Sequence, residues 1–173
     1  SATAVDYSGL VTIGAISTIA TNAGDLNLTN TGTITGAFAL TLGGSGNGSI
    51  SSILGIGVGT ITKTGTGTWT LSGATTYTGA TAISVGTIKI GATNAGVSNS
   101  SAVTVTSNLD LNGFNATIGS LAGAGTVTSS QAGSVTLTTG GNNTSTTFSG
   151  IIQDGSGTIN LTKVGTLIFT VSG

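Results

Sequence analysis

The chain has 173 residues, with 31 Gly and no Pro, Cys, Met or His, and its charged side chains are Asp6, Asp25, Asp110, Asp154, Lys63, Lys89 and Lys163. This inventory excludes thiol, imidazole and guanidinium chemistry and leaves four scattered carboxylates, so no catalytic residue, metal ligand set or cofactor site is expected. With a net charge of −1 and no apolar run near the roughly 18 residues of a membrane span, neither nucleic acid binding nor membrane insertion is expected.

A mean hydropathy of +0.44 and a hydrophobic fraction of 37% are too high for a disordered linker, and the length suits one domain over residues 1–173. Any signal peptide has been removed or lies outside this sequence. Poor helix formers dominate, and no window repeats apolar residues at helical spacing. Strand signals take their place. In the run 60–71, TITKTGTGTWTL, every even position is Thr, while the odd positions carry Ile61, Trp69 and Leu71. Further short alternations follow at 103–105, 109–111, 135–137, 159–161 and 167–171, each bounded by Gly, Asn or Asp. Short, numerous strands of this kind fit a sandwich, a barrel or a solenoid.

An internal repeat narrows that choice. Residues 62–73, TKTGTGTWTLSG, match residues 162–173, TKVGTLIFTVSG, without a gap at an offset of 100; seven of twelve positions are identical, and Trp69 is matched by Phe169. In a β-solenoid of about 20 residues per coil the chain makes roughly eight coils, with Ile83, Leu111 and Phe148 expected in its inward ladders.

The segment 60–91, TITKTGTGTWTLSGATTYTGATAISVGTIKIG, resembles the autotransporter-associated β-strand repeat of bacterial surface proteins. In that repeat Gly-x-Gly-x-(aromatic or Leu)-x-Leu-Ser-Gly is followed by Tyr-Thr-Gly and a Gly-Thr-Leu-like strand. The stretches 109–115, 118–126 and 148–157 look like segments that follow it in such passengers. The resemblance implies a right-handed parallel β-helix, bacterial secretion and display at the cell surface.

The two ends carry a further signal. After Leu71-Ser-Gly the repeat continues as residues 74–79, ATTYTG, whereas its copy stops at Gly173; residues 4–9, AVDYSG, supply a similar continuation at an offset of 70, and Ile13 then falls on Ile83. If Ser1 of one copy follows Gly173 of another, residues 1–14 complete a neighbour's interrupted repeat. The expected contact residues are Val5, Tyr7, Gly9, Ile13, Leu167, Phe169 and Val171. The other reading makes the two ends successive pieces of one longer passenger.

The remaining motifs are weaker. Residues 43–48, GGSGNG, start like a calcium-binding nonapeptide, but Gly48 stands where the Asp ligand belongs. Asp110 and Asp154 sit in turn contexts, where Asp most often bonds its own backbone. Trp69 and Tyr77 could stack on a sugar, yet an aromatic at a repeated strand position is more often core. An ice-binding face would need Thr in register on successive coils, and the best Thr array is the single run 60–70. Seven Asn-x-Ser/Thr sequons, at Asn27, Asn47, Asn99, Asn115, Asn142, Asn143 and Asn160, only slightly exceed chance for this composition.

Together these features favour a non-catalytic, extracellular structural protein at the bacterial cell surface, a filament subunit that assembles head to tail with copies of itself. The alternative is a passenger segment of an autotransporter-type adhesin, with host-surface or matrix glycans as partners.

Overall fold

The computed structural model describes residues 3–173. Its 22 strands are short and its sheet pairings are parallel. The chain winds as a solenoid with three faces. The first face is an eight-stranded sheet that begins with Val5–Tyr7, Leu26–Leu28 and Gly48–Ile50 and ends with Ile151–Ile152, one strand per coil, giving eight coils. The second face runs from Thr12–Ile13 through Thr33–Gly36 and Ile53–Gly55, and later through Ala116–Thr117, Gly133–Thr139 and Gly157–Lys163. In the fourth and fifth coils this face narrows to bridges through Thr75 and Ala95. The third face runs from Ser17–Ala20 to Ser120–Ala122, and the Gly123–Phe148 bridge joins it to Thr146–Phe148 and Phe169–Val171.

Along the first face the register advances by 18 residues from Leu109 to Val127 and by 25 from Val127 to Ile152. The widest coils are those whose second-face strands reach seven residues, Gly133–Thr139 and Gly157–Lys163.

Alternation decides which side chains enter the core. On the first face, Leu28, Ile50, Leu71 and Ile90 stack in register, beside a second column of Trp69, Ile88, Leu109 and Val127. All eight are buried, as are Ile83, Leu111 and Phe148. Outward positions are mostly Thr, Ser and Asn, which suit the pleated, half-solvated outside of a sheet.

Two features of the sequence take a definite place in the fold. The run 60–71 is not one strand: Ile61–Lys63 lies on the third face and Thr68–Leu71 on the first, separated by a corner at Gly65, whose φ of 72° favours glycine. Thr68 and Thr70 therefore look away from a different face than Thr62. The 100-residue repeat also does not superimpose coils. Its first copy spans a third-to-first-face corner and its second, from Lys163 to Phe169–Val171, a second-to-third-face corner. From the third face of coil three to the second face of coil eight is 23 − 9 = 14 faces, or four and two-thirds coils. What recurs is a strand–corner–strand unit.

Candidate functional site

The aspartates are spread along the stack, and those with structural partners are held by them. Asp110 accepts the N–H groups of Asn112 and Ser130 at 2.8 and 2.9 Å and pairs with Lys89 at 3.6 Å. Asp154 accepts the Ile159 N–H at 2.8 Å, and Asp6 accepts the Asn27 amide at 2.8 Å. No group of three or more metal-ligating side chains is found among the described residues.

Gly48, at the would-be calcium position, has another duty: a Cβ there would come within 2.7 Å of the Trp69 ring, which packs directly above it. The indole N–H donates to the Gly43 carbonyl at 3.1 Å, so the buried ring is satisfied at both its apolar and polar ends. Tyr77 is buried as well, its hydroxyl 2.7 Å from that of Thr81 and accepting the Ser98 N–H at 3.4 Å. Burial raises its pKa above the ordinary phenol value, with the hydrogen bonds acting the other way. Neither ring offers a platform to a sugar.

The sequon asparagines also serve the stack. Asn47, Asn115 and Asn143 accept the N–H groups of Thr68, Thr136 and Thr166 in the following coil at 3.0, 2.8 and 3.0 Å. On the third face Thr18, Thr41 and Thr62 do align on successive coils, but Ala82 and Ala122 interrupt the column.

The seven residues predicted for subunit contact separate into two groups at opposite ends of the solenoid. Val5 and Tyr7 take the inward positions of the first coil and are 59% and 47% exposed, no coil lying beneath them among the described residues. Gly9 sits against the Tyr7 ring. In the eighth coil Leu167 and Val171 are each 47% exposed and Phe169 is half-buried. Ile13 differs. It is 3% exposed, paired with Gly36 and already inside its own chain's core.

A pair of lysines escapes the sequence reading. Lys63 sits at an inward position between Leu42 and Ile83 and is fully buried. Its ammonium donates to the carbonyls of Thr64 at 2.7 Å, Gly65 at 2.6 Å and Val85 at 3.2 Å. Desolvation lowers its pKa below the usual lysine value, while the three carbonyls favour the charged form. Lys163 makes the same two local contacts, with the carbonyls of Val164 and Gly165, but is exposed. The legible signal is parity, since Lys63 falls on the odd positions shared by Ile61, Trp69 and Leu71.

The solenoid is thus a three-sided parallel stack with an aliphatic core and lysine-capped corners. Residues 61–90 match the family model described as Passenger-associated-transport-repeat. The matched stretch comprises Ile61–Lys63, Thr68–Leu71, Thr81–Ile83 and Thr87–Ile90, and so includes the Lys63 corner, Trp69 and Tyr77. The chain therefore carries a passenger-associated transport repeat of autotransporter passenger domains, which implies a secreted or surface protein. Comparison with curated proteins and with solved structures returned no match.

Proposed function

We propose that the chain is a non-catalytic structural segment of the passenger of a bacterial surface protein, a stiff spacer carried outside the cell. One observation carries this reading: the passenger repeat at 61–90 lies within an eight-coil parallel stack, with coils on both sides built by the same ladder rules. In an adhesin, contact with host or matrix glycans falls to the outward Thr, Ser and Asn side chains, since Trp69 and Tyr77 are inside. Antibodies against the folded chain should label intact cells of the source bacterium as strongly as permeabilised ones. Labelling that requires permeabilisation would overturn the proposal.

A second reading, a filament subunit joined end to end, is compatible with the face order of residues 4–9 and 74–79. In the first copy of the repeat, Leu71 on the first face is followed by Thr75 on the second; beyond Val171 on the third face, the next face in order is the first, where Val5–Tyr7 lies. Residues 4–9 thus stand one face beyond Phe169–Val171, as residues 74–79 stand one face beyond Thr68–Leu71. Ser1 and Ala2 of this segment lie outside the described residues. Removing residues 1–14 should abolish any fibres seen by electron microscopy, and fibres that persist without them would sink this reading.

A further inference from the structure

We propose that the third face, together with the apolar edge it shares with the second, is a side-by-side contact surface for the same face of a second copy of this chain. Its outward central column is Thr18, Thr41, Thr62, Ala82, Thr104 and Ala122, one residue on each of six successive coils. Beside that column, positions 20 and 43 are Ala and Gly, and positions 39, 60, 80 and 102 are Ala or Thr. At the corner with the second face, Ile16, Phe38 and Val58 follow one another in coils one to three, and all three are exposed. No charge reaches this surface among the described residues. Asp6, Lys89 and Asp110 are on the first face, Asp25 and Asp154 flank its strands, Lys163 ends a second-face strand, and Lys63 is buried inward. The contact runs along the flank of the stack, so it is indifferent to whatever stands before the first coil or after the last.

The lack of charge selects the occupant. A partner that laid charged side chains on this face would strip them of water and find no counter-charge there. A typical soluble chain is about 25% charged, against 4% here, and the same face of a second copy carries no charge at all. Hydroxyls are at once donors and acceptors, so a threonine column can bond a threonine column, and such a face complements itself about a two-fold axis. Size agrees. Six strands about 4.8 Å apart, each about five residues wide at about 3.3 Å per residue, make a face of about 29 by 17 Å, so two copies cover about 1,000 Å² in total, where specific interfaces begin. Ile16, Phe38 and Val58 add apolar area along its edge. A contact of this size holds two free chains weakly, and many chains displayed side by side more firmly.

Sedimentation equilibrium on the 173-residue chain, taken to millimolar concentration, tests this directly. A reversible dimer is expected. Thr41→Glu combined with Thr62→Glu puts carboxylates of both copies into one contact and should raise the dissociation constant at least about a hundredfold. Ser49→Glu combined with Thr70→Glu adds the same net charge on adjacent coils of the first face and should leave the dimer unchanged. Thr18→Glu with Thr104→Glu, at exposed positions of the third-face column, repeats the test in case the first pair unfolds the chain. Equal weakening by the first-face and third-face pairs, or growth beyond the dimer that the third-face pair leaves untouched, would overturn the proposal. A chain monomeric at every concentration would overturn it as well and leave the face to a partner of another kind. The spacer reading stands in each case, since cell labelling tests it separately.

Discussion

Residues 62–73 and 162–173 have nearly the same sequence and very different surroundings. Both form a strand, a corner with a glycine at φ 72°, and a second strand, and in both the lysine ammonium bonds the two carbonyls that follow it. Trp69 has Gly48 beneath it and Ile88 above; Phe169 has Thr146 beneath it and, among the described residues, no strand above. Corner geometry is therefore a local property of the Lys-x-Gly sequence, independent of which pair of faces it joins. Burial is contributed by the coil on either side, as expected when each repeat contacts only its neighbours.

The largest expected contrast is between the aromatics. Trp69→Ala removes a fully buried ring from the middle of the stack and should cost about 3–5 kcal/mol in urea unfolding. Phe169→Ala removes a half-buried ring at the end and should cost about 1 kcal/mol. Equal losses would show that the end coil is covered in solution and would break the comparison.

Next come the lysines. Lys63→Ala leaves three carbonyls without their donor in a buried corner, at a cost of about 3 kcal/mol, whereas the carbonyls at exposed Lys163 turn to water and its replacement should change stability by less than about 0.5 kcal/mol. A Lys63→Ala chain as stable as the parent would remove the cage from the account.

These contrasts also mark how far the sequence could be read. Strands at 103–105, 109–111, 135–137, 159–161 and 167–171 are legible because each alternates for several residues between Gly or Asn corners, and all five sites lie within or overlap observed strands. The run 60–71 alternates just as well, yet breaks at Gly65, because Thr at every even position preserves parity through a corner that changes the face. Core Trp69 and Phe148 follow from parity and repeat. The inward lysine does not follow from hydropathy, since a buried ammonium is acceptable only where backbone carbonyls converge, and that convergence involves Val85, 22 residues away. Among the residues expected to contact a neighbour, burial of Ile13 in its own chain is equally invisible, since its place in residues 1–14 does not show that it is already covered.

Titration of the interior groups separates them by sign. Lys63 has a folded pKa below its ordinary 10.5, so between those values the unfolded chain binds the proton more tightly and stability rises with pH. Tyr77 has a folded pKa above 10.0; its contribution is fully present below pH 10 and is lost as pH rises from there through the folded value, at up to about 1.4 kcal/mol per unit. The urea midpoint should therefore climb toward pH 10 and fall beyond it. Lys63→Met should remove the climb and Tyr77→Phe the fall. A fall that persists in Tyr77→Phe would place the titrating group elsewhere.

The one stabilising change lies directly beneath Lys163. Thr139 pairs in register with that lysine and is buried, and its hydroxyl has no hydrogen-bond partner among the described residues. A buried hydroxyl without a partner costs about 1–3 kcal/mol, and valine has the same shape without that group. Because the site lies one coil from the open end, where relaxation can recover part of the cost, Thr139→Val should stabilise the chain by about 1 kcal/mol in urea unfolding. Lys163→Met should leave that gain in place, because the Lys163 ammonium is engaged with Val164 and Gly165 rather than with this hydroxyl. A loss of stability in Thr139→Val would mean that the hydroxyl has a partner after all, and that the seventh coil is adapted to the polar group above it in a way that the second, with Leu42 beneath Lys63, is not.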